Sequence, residues 1–115
     1  CKIAEYSLAV LKDRPNFHVS LVVDVSPYCN CHAENDAPIV PNVGMFASFD
    51  PVALDVDCAD AVQRQPVLPG SLLPEKEHCH HEHFTDTHPD TNWRSCIEHA
   101  VKIGLGTDQY ELIEV

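Results

Sequence analysis

Glycine is scarce: the 115-residue chain holds 4 of them. A Walker-type or Rossmann-type cradle needs a glycine-rich loop entering a helix, and none is present, so no nucleotide cofactor is expected. Gly104-Leu105-Gly106 follows a helical pattern and reads as a C-cap. The G-x-S-x-G elbow and the H-E-x-x-H zinc helix are missing too. Basic residues are few, 7 against 18 acidic, for a formal net charge of −11. That excludes nucleic acid and anionic membrane surfaces as expected partners, because both require a positive footprint. No apolar run approaches the ~18 residues of a membrane span, and no charged-then-apolar leader opens the chain. The chain begins at Cys1 instead of Met, which reads as a piece of a longer protein.

What is present suits one folded domain over residues 1–115. A hydrophobic content of 44% is too high for a disordered chain. The six cysteines are Cys1, Cys29, Cys31, Cys58, Cys79 and Cys96. An even count permits a disulfide framework. However, Cys58 and Cys96 fall on helical apolar faces, where a free thiol behaves as a small hydrophobe. The aliphatic content makes staples unnecessary. Free thiols and a cytoplasmic setting are therefore expected.

Ile3 to Lys12 reads as a helix with Ala4, Leu8 and Leu11 on one face. Phe17 to Val25 alternates with period two and is rich in β-branched residues, which is the pattern of a strand. Ser26 to Asn42, with three prolines, is a long irregular connection of the kind that often carries function. Val43 to Phe49 is a short apolar run expected to form a strand buried on both faces. Asp50-Pro51 then opens a helix to about Gln65: Asp accepts from free backbone N–H groups at the N-cap, and Pro at N1 has no N–H to leave unpaired. Strand, cap and helix resemble half of a parallel β–α unit. After a second irregular region, Pro66 to Thr91, the residues Trp93, Cys96, Ile97, Ala100 and Val101 form the stripe of a helix running to Ile103, started by Asp90 or Thr91 and ended by Gly104. Tyr110 to Val115 reads as a last strand. The expected fold class is α/β, a small mixed or mainly parallel sheet flanked by about three helices.

Three places could carry chemistry. Cys29-Asn30-Cys31-His32 puts two thiols and an imidazole close together, donors that soft and borderline metals prefer. The alternative is a polar turn with two free thiols. His78, Cys79, His80, His81 and His83 form a ligand-rich run, which could equally be a solvated loop. Asp55, at ~100° per residue on its helix, projects between Cys58, Ala59 and Val62, while Asp57 and Asp60 fall on a polar side with Asp60 reaching Arg64. A carboxylate on an apolar face must be paired or hydrogen-bonded. It would either tie down a loop through backbone N–H groups or act as a ligand or base beside the Cys29 loop.

The stretch Cys29-Asn30-Cys31, then DAPIVPNVGMFASFDPVALD (Asp36 to Asp55), then Cys58-Ala59-Asp60 resembles the C-terminal part of the uncharacterised iron–sulfur-centre proteins of domain of unknown function family 362. HPDTNW, HAVKIGLG and YELIEV resemble that family's terminal helix, turn and strand. Asn30 and Asn42 stand where the family pattern usually has Asp. The resemblance implies an iron–sulfur context and a ferredoxin-type domain of the same full-length protein as partner. The four-cysteine motifs of such a domain are not in this chain. It carries over Cys29, Cys31, Asp50 and Asp55 by position.

The leading expectation is a metal- or cluster-associated domain of a redox-linked iron–sulfur protein, holding zinc or an iron–sulfur cluster. Its ligands would come from Cys29, Cys31, His32, Asp55 and the His78–His83 run. The rivals are a carboxylate-based small-molecule enzyme fragment around Asp50 and Asp55, and a structural or interaction module without chemistry.

Overall fold

The structure, a computed structural model, describes residues 1–29, 31–34, 36–73 and 82–115. The elements run α1 (Lys2–Leu11), β1 (His18–Val22), β2 (Gly44–Ser48), α2 (Pro51–Gln63), α3 (His83–Thr87) and α4 (Arg94–Lys102). The fold is α/β, with four helices among the described residues where about three were expected. The additional one is the five-residue α3, too short to leave a periodic signal.

The sheet is a correction. β1 and β2 pair antiparallel, from His18 opposite Ser48 to Val22 opposite Gly44, so among the described residues the sheet is neither parallel nor mixed. A parallel pair needs a crossover, usually a helix. Residues 23–43 carry no described helix and return the chain directly beside β1. Asn42 Oδ1 accepts from the Asp24 N–H at 2.8 Å and closes the strand ends. This topology also separates two features expected to be neighbours. The Cys29 loop leaves from the Val22–Gly44 end of the ladder, whereas α2 starts beyond Ser48 at the other end, ~13 Å away at ~3.3 Å per residue.

The alternation of β1 is real, but its polar parity faces inward. Val22 is buried and His18 and Ser20 are half-buried, while Phe17, Val19, Leu21 and Val23 are exposed. Met45 and Phe49 are exposed as well, so β2 is not buried on both faces. Phe17 and Phe49 pack their rings 5.0 Å apart at the surface.

α2 lies between two small cores. Val62 joins Val22, Ile39, Val40 and Leu73, with Phe46, Cys58 and Phe84 against them. Val52 joins Ala4 of α1 and Ala100 of α4, with Cys96, Ile97 and Leu105 around them. The start of α2 follows from Asp50, whose Oδ1 accepts from the Val52 and Ala53 N–H groups at 2.9 and 3.0 Å. Its Oδ2 accepts from the Thr107 N–H at 2.9 Å.

At α4 the start is marked by Asn92, not Asp90 or Thr91: Asn92 Oδ1 accepts from the Ser95 N–H at 3.3 Å. Gly104, at φ 76°, ends the helix in the left-handed region that glycine tolerates. The expected last strand does not form; Tyr110–Val115 runs without strand pairing.

Candidate functional site

Cys29 and Cys31 are both exposed, and neither is in a disulfide. The backbone folds tightly there, with the His32 N–H donating to the Cys29 carbonyl at 2.9 Å. The turn brings the two sulfurs together. Cys29 Sγ accepts from the Cys31 N–H and from the Cys31 thiol, which lowers the Cys29 pKa below its ordinary 9.0. The same shared proton raises that of Cys31. Cys29 is therefore the first of the two to form a thiolate. On its other side the loop is anchored through aromatic rings. The Tyr28 ring lies 5.7 Å from His32 and 6.0 Å from His88, and His88 Nε2 bonds the Pro27 carbonyl at 2.6 Å.

Asp55 is open to solvent, not sunk into the core face as its helical position predicted. It sits at the edge of an apolar groove of about 570 Å³ between α1, α2 and α4, together with His18, Tyr6 and Val52. The protein around its carboxyl holds its pKa above the ordinary 3.8, and the nearby His18 acts against this. His18 Nε2 is bonded to Asn16 Oδ1 at 2.8 Å. Cys58 lies close by, its thiol raised first by burial, with a Ser20 hydrogen bond lowering it and Asp55 and Asp57 raising it.

His78, Cys79, His80 and His81 lie outside the described residues. The end of that run is structural. Glu82 caps α3 by accepting from the Thr85 N–H, and also accepts from Trp93 Nε1 at 3.0 Å. His83 is buried, its ring bonded to the Gln65 carbonyl at 2.9 Å.

The structure thus brings Cys29 and Cys31 together. It does not gather them with His32, Asp55 and His83: among the described residues, no group of three or more His, Cys, Asp or Glu converges as a metal shell would. A soft metal would find two of its roughly four donors in the Cys pair.

Asp57 and His88 are the two residues to which the sequence pattern assigned no part in a site. Asp57 is 7% exposed, against the expected polar side of α2. It shares a face with Ala53, Leu54 and Ala61, at spacings of four and three, and that apolar neighbourhood is the signal that marks it. Asp60 accepts from the Tyr110 hydroxyl at 2.8 Å, and the ion pair of Arg64 at 3.7 Å is with Asp57. His88 reaches the Cys loop across 61 residues of chain, which no local pattern encodes.

Residues 1–60 match the family described as Domain of unknown function (DUF362), just over half of the chain. The chain belongs to that family. The DUF362 match takes in Cys29, Cys31, Asp50, Asp55 and Asp57 and stops short of the histidine-rich run. No curated protein and no solved structure matches the chain. No described helix of this DUF362 chain is long and apolar enough to cross a membrane.

Proposed function

We propose that this DUF362 chain is a metal- or cluster-associated domain in which Cys29 and Cys31 supply two thiolates to a soft metal, zinc or the iron of an iron–sulfur cluster. The observation that carries this reading is the hydrogen bonding of exposed Cys29 with the N–H and thiol of exposed Cys31, which holds Cys29 below the usual thiol pKa. Thiolate is the ligating form, so a lowered Cys29 favours binding near neutral pH. The remaining donors come from outside the described residues. The sources are the His78–His81 stretch or a ferredoxin-type part of the full-length protein, of which this chain would be the C-terminal portion. The test is anaerobic loading with zinc, or with ferrous iron and sulfide, followed by elemental analysis. Stoichiometric metal in the parent and loss of it in the Cys29→Ser/Cys31→Ser variant are expected. Absence of metal in the parent, or retention in the variant, sinks the reading.

A second reading is favoured by Asp55. A carboxyl with a raised pKa at the rim of an apolar groove, with an imidazole nearby, has the properties of a general acid–base pair for a small molecule. A carboxyl-carbon NMR titration distinguishes it: an Asp55 that titrates at its ordinary value removes the reason for proposing it.

A further inference from the structure

The buried face of α2 leaves one carboxylate oxygen unsatisfied. Asp57 Oδ1 accepts no hydrogen bond, although the residue is 7% exposed. The Arg64 guanidinium is 3.7 Å away, an ion-pair distance too long for a hydrogen bond. A buried carboxylate oxygen without a donor is costly, which points to a donor from elsewhere.

Asp57 is one of the residues lining a cavity of about 780 Å³, its Oδ1 sealed just beneath the wall, and Cys29, Cys31 and Asp55 contribute nothing to that lining. Its first wall is β2, every residue from Gly44 to Ser48. Side chains alternate across a strand, so consecutive residues can line one space only along the strand's edge. β1, which occupies the opposite edge, does not line it. The floor is the small apolar face of α2 around Asp57. The far wall is the unpaired run Tyr110–Val115. That wall is tied in place: the Tyr110 hydroxyl bonds Asp60 at 2.8 Å and also Arg64.

We infer that this cavity is a slot for one β-strand, filled by an extended partner segment that alternates small aliphatic with basic residues. The segment adds to the edge of β2 that pairs with no strand among the described residues, and brings a Lys or Arg side chain to Asp57. An open strand edge offers unpaired backbone donors and acceptors, and strand addition gives affinity through them and specificity through alternate side chains. The charge selects the sign of the partner. Asp57, Glu111 and Glu114 line the slot, Arg64 is the single cation among its lining residues, and the whole chain carries −11.

The probe is a synthetic peptide of about eight residues, a typical strand length, alternating Val with Lys, and a twin with Glu for Lys. Calorimetry on the intact chain is expected to show binding of the Lys peptide and none of the Glu peptide. When the Lys peptide is added, amide exchange should slow at those Met45–Ser48 amides that point away from β1. Asp57→Asn should weaken binding about tenfold or more, while Arg64→Ala should hold or tighten it. Equal binding of both peptides, failure of the Lys peptide to bind, or protection appearing on β1 instead of β2 overturns the proposal. So does protection, without peptide, of the Met45–Ser48 amides that point away from β1: a dependence on protein concentration would mean that a second copy fills the slot, and independence would mean that the chain's own Tyr110–Val115 does. If Asp57→Asn unfolds, the contrast between the two peptides on the parent chain still decides.

Discussion

Asp50 shows how much one side chain can hold when both its oxygens are used. Oδ1 caps α2 and Oδ2 takes the Thr107 N–H, joining the helix start to the segment after α4. A Cβ on Gly106 would collide with that carboxyl, so the glycine is what lets the segment come so near. Asp50→Ala is expected to cost about 2 kcal/mol, the upper end of N-cap losses, in chemical denaturation. Gly106→Ala should destabilise too, and the pair should fall well short of additive because both break the same contact. The cap was legible from Asp-Pro alone; the Thr107 bond was not, because its partners are 57 residues apart. At the Cys pair, C-x-C spacing showed that two thiols could meet, and their contact splits their pKa values. Iodoacetamide near pH 8 should therefore label Cys29 ahead of Cys58, whose thiol is raised by burial, and peptide mass spectrometry reads the order.

Among the elements, those with strong periodicity were readable and their orientations were not. Alternation marked β1, but which parity faces inward depends on what packs there, and α2 packs against His18, Ser20 and Val22 while the richer apolar face stays outside. α2 itself misleads a single-stripe reading because two cores and a cavity claim different sides of it, so Asp55 and Asp57 exchange the positions expected of them. Orientation makes a measurable difference. Leu21 is 67% exposed, and Leu21→Thr should change stability by no more than ~0.5 kcal/mol. Leu73 is 1% exposed, and Leu73→Ala should cost ~2–5 kcal/mol. Equal effects in urea melts would mean that β1's outer face is covered in solution.

For the molecule as a whole, the acidic balance gives the pH response, and two carboxyls pull it in opposite directions. Burial alone would raise Glu82, but hydrogen bonds from Thr85 and Trp93, with Arg94 nearby, outweigh it and hold the folded pKa below 4.5. Its stabilisation is present above that value and is lost as pH falls through the folded pKa. Asp55 runs the other way. Its folded pKa lies above 3.8, so its contribution favours the folded state below 3.8 and is lost as pH rises through the folded value. Above both folded pKa values the substitutions separate them: Glu82→Gln should lower the melting temperature and Asp55→Asn should raise it. On titration toward pH 4 the two differences from the parent should both shrink, since protonation of the parent makes the same change as each amide. A Glu82→Gln chain as stable as the parent at pH 7 would show that α3 and the Trp93 turn stand without the Glu82 carboxylate, and the closure of the chain behind α2 would then rest on His83 and its bond to Gln65.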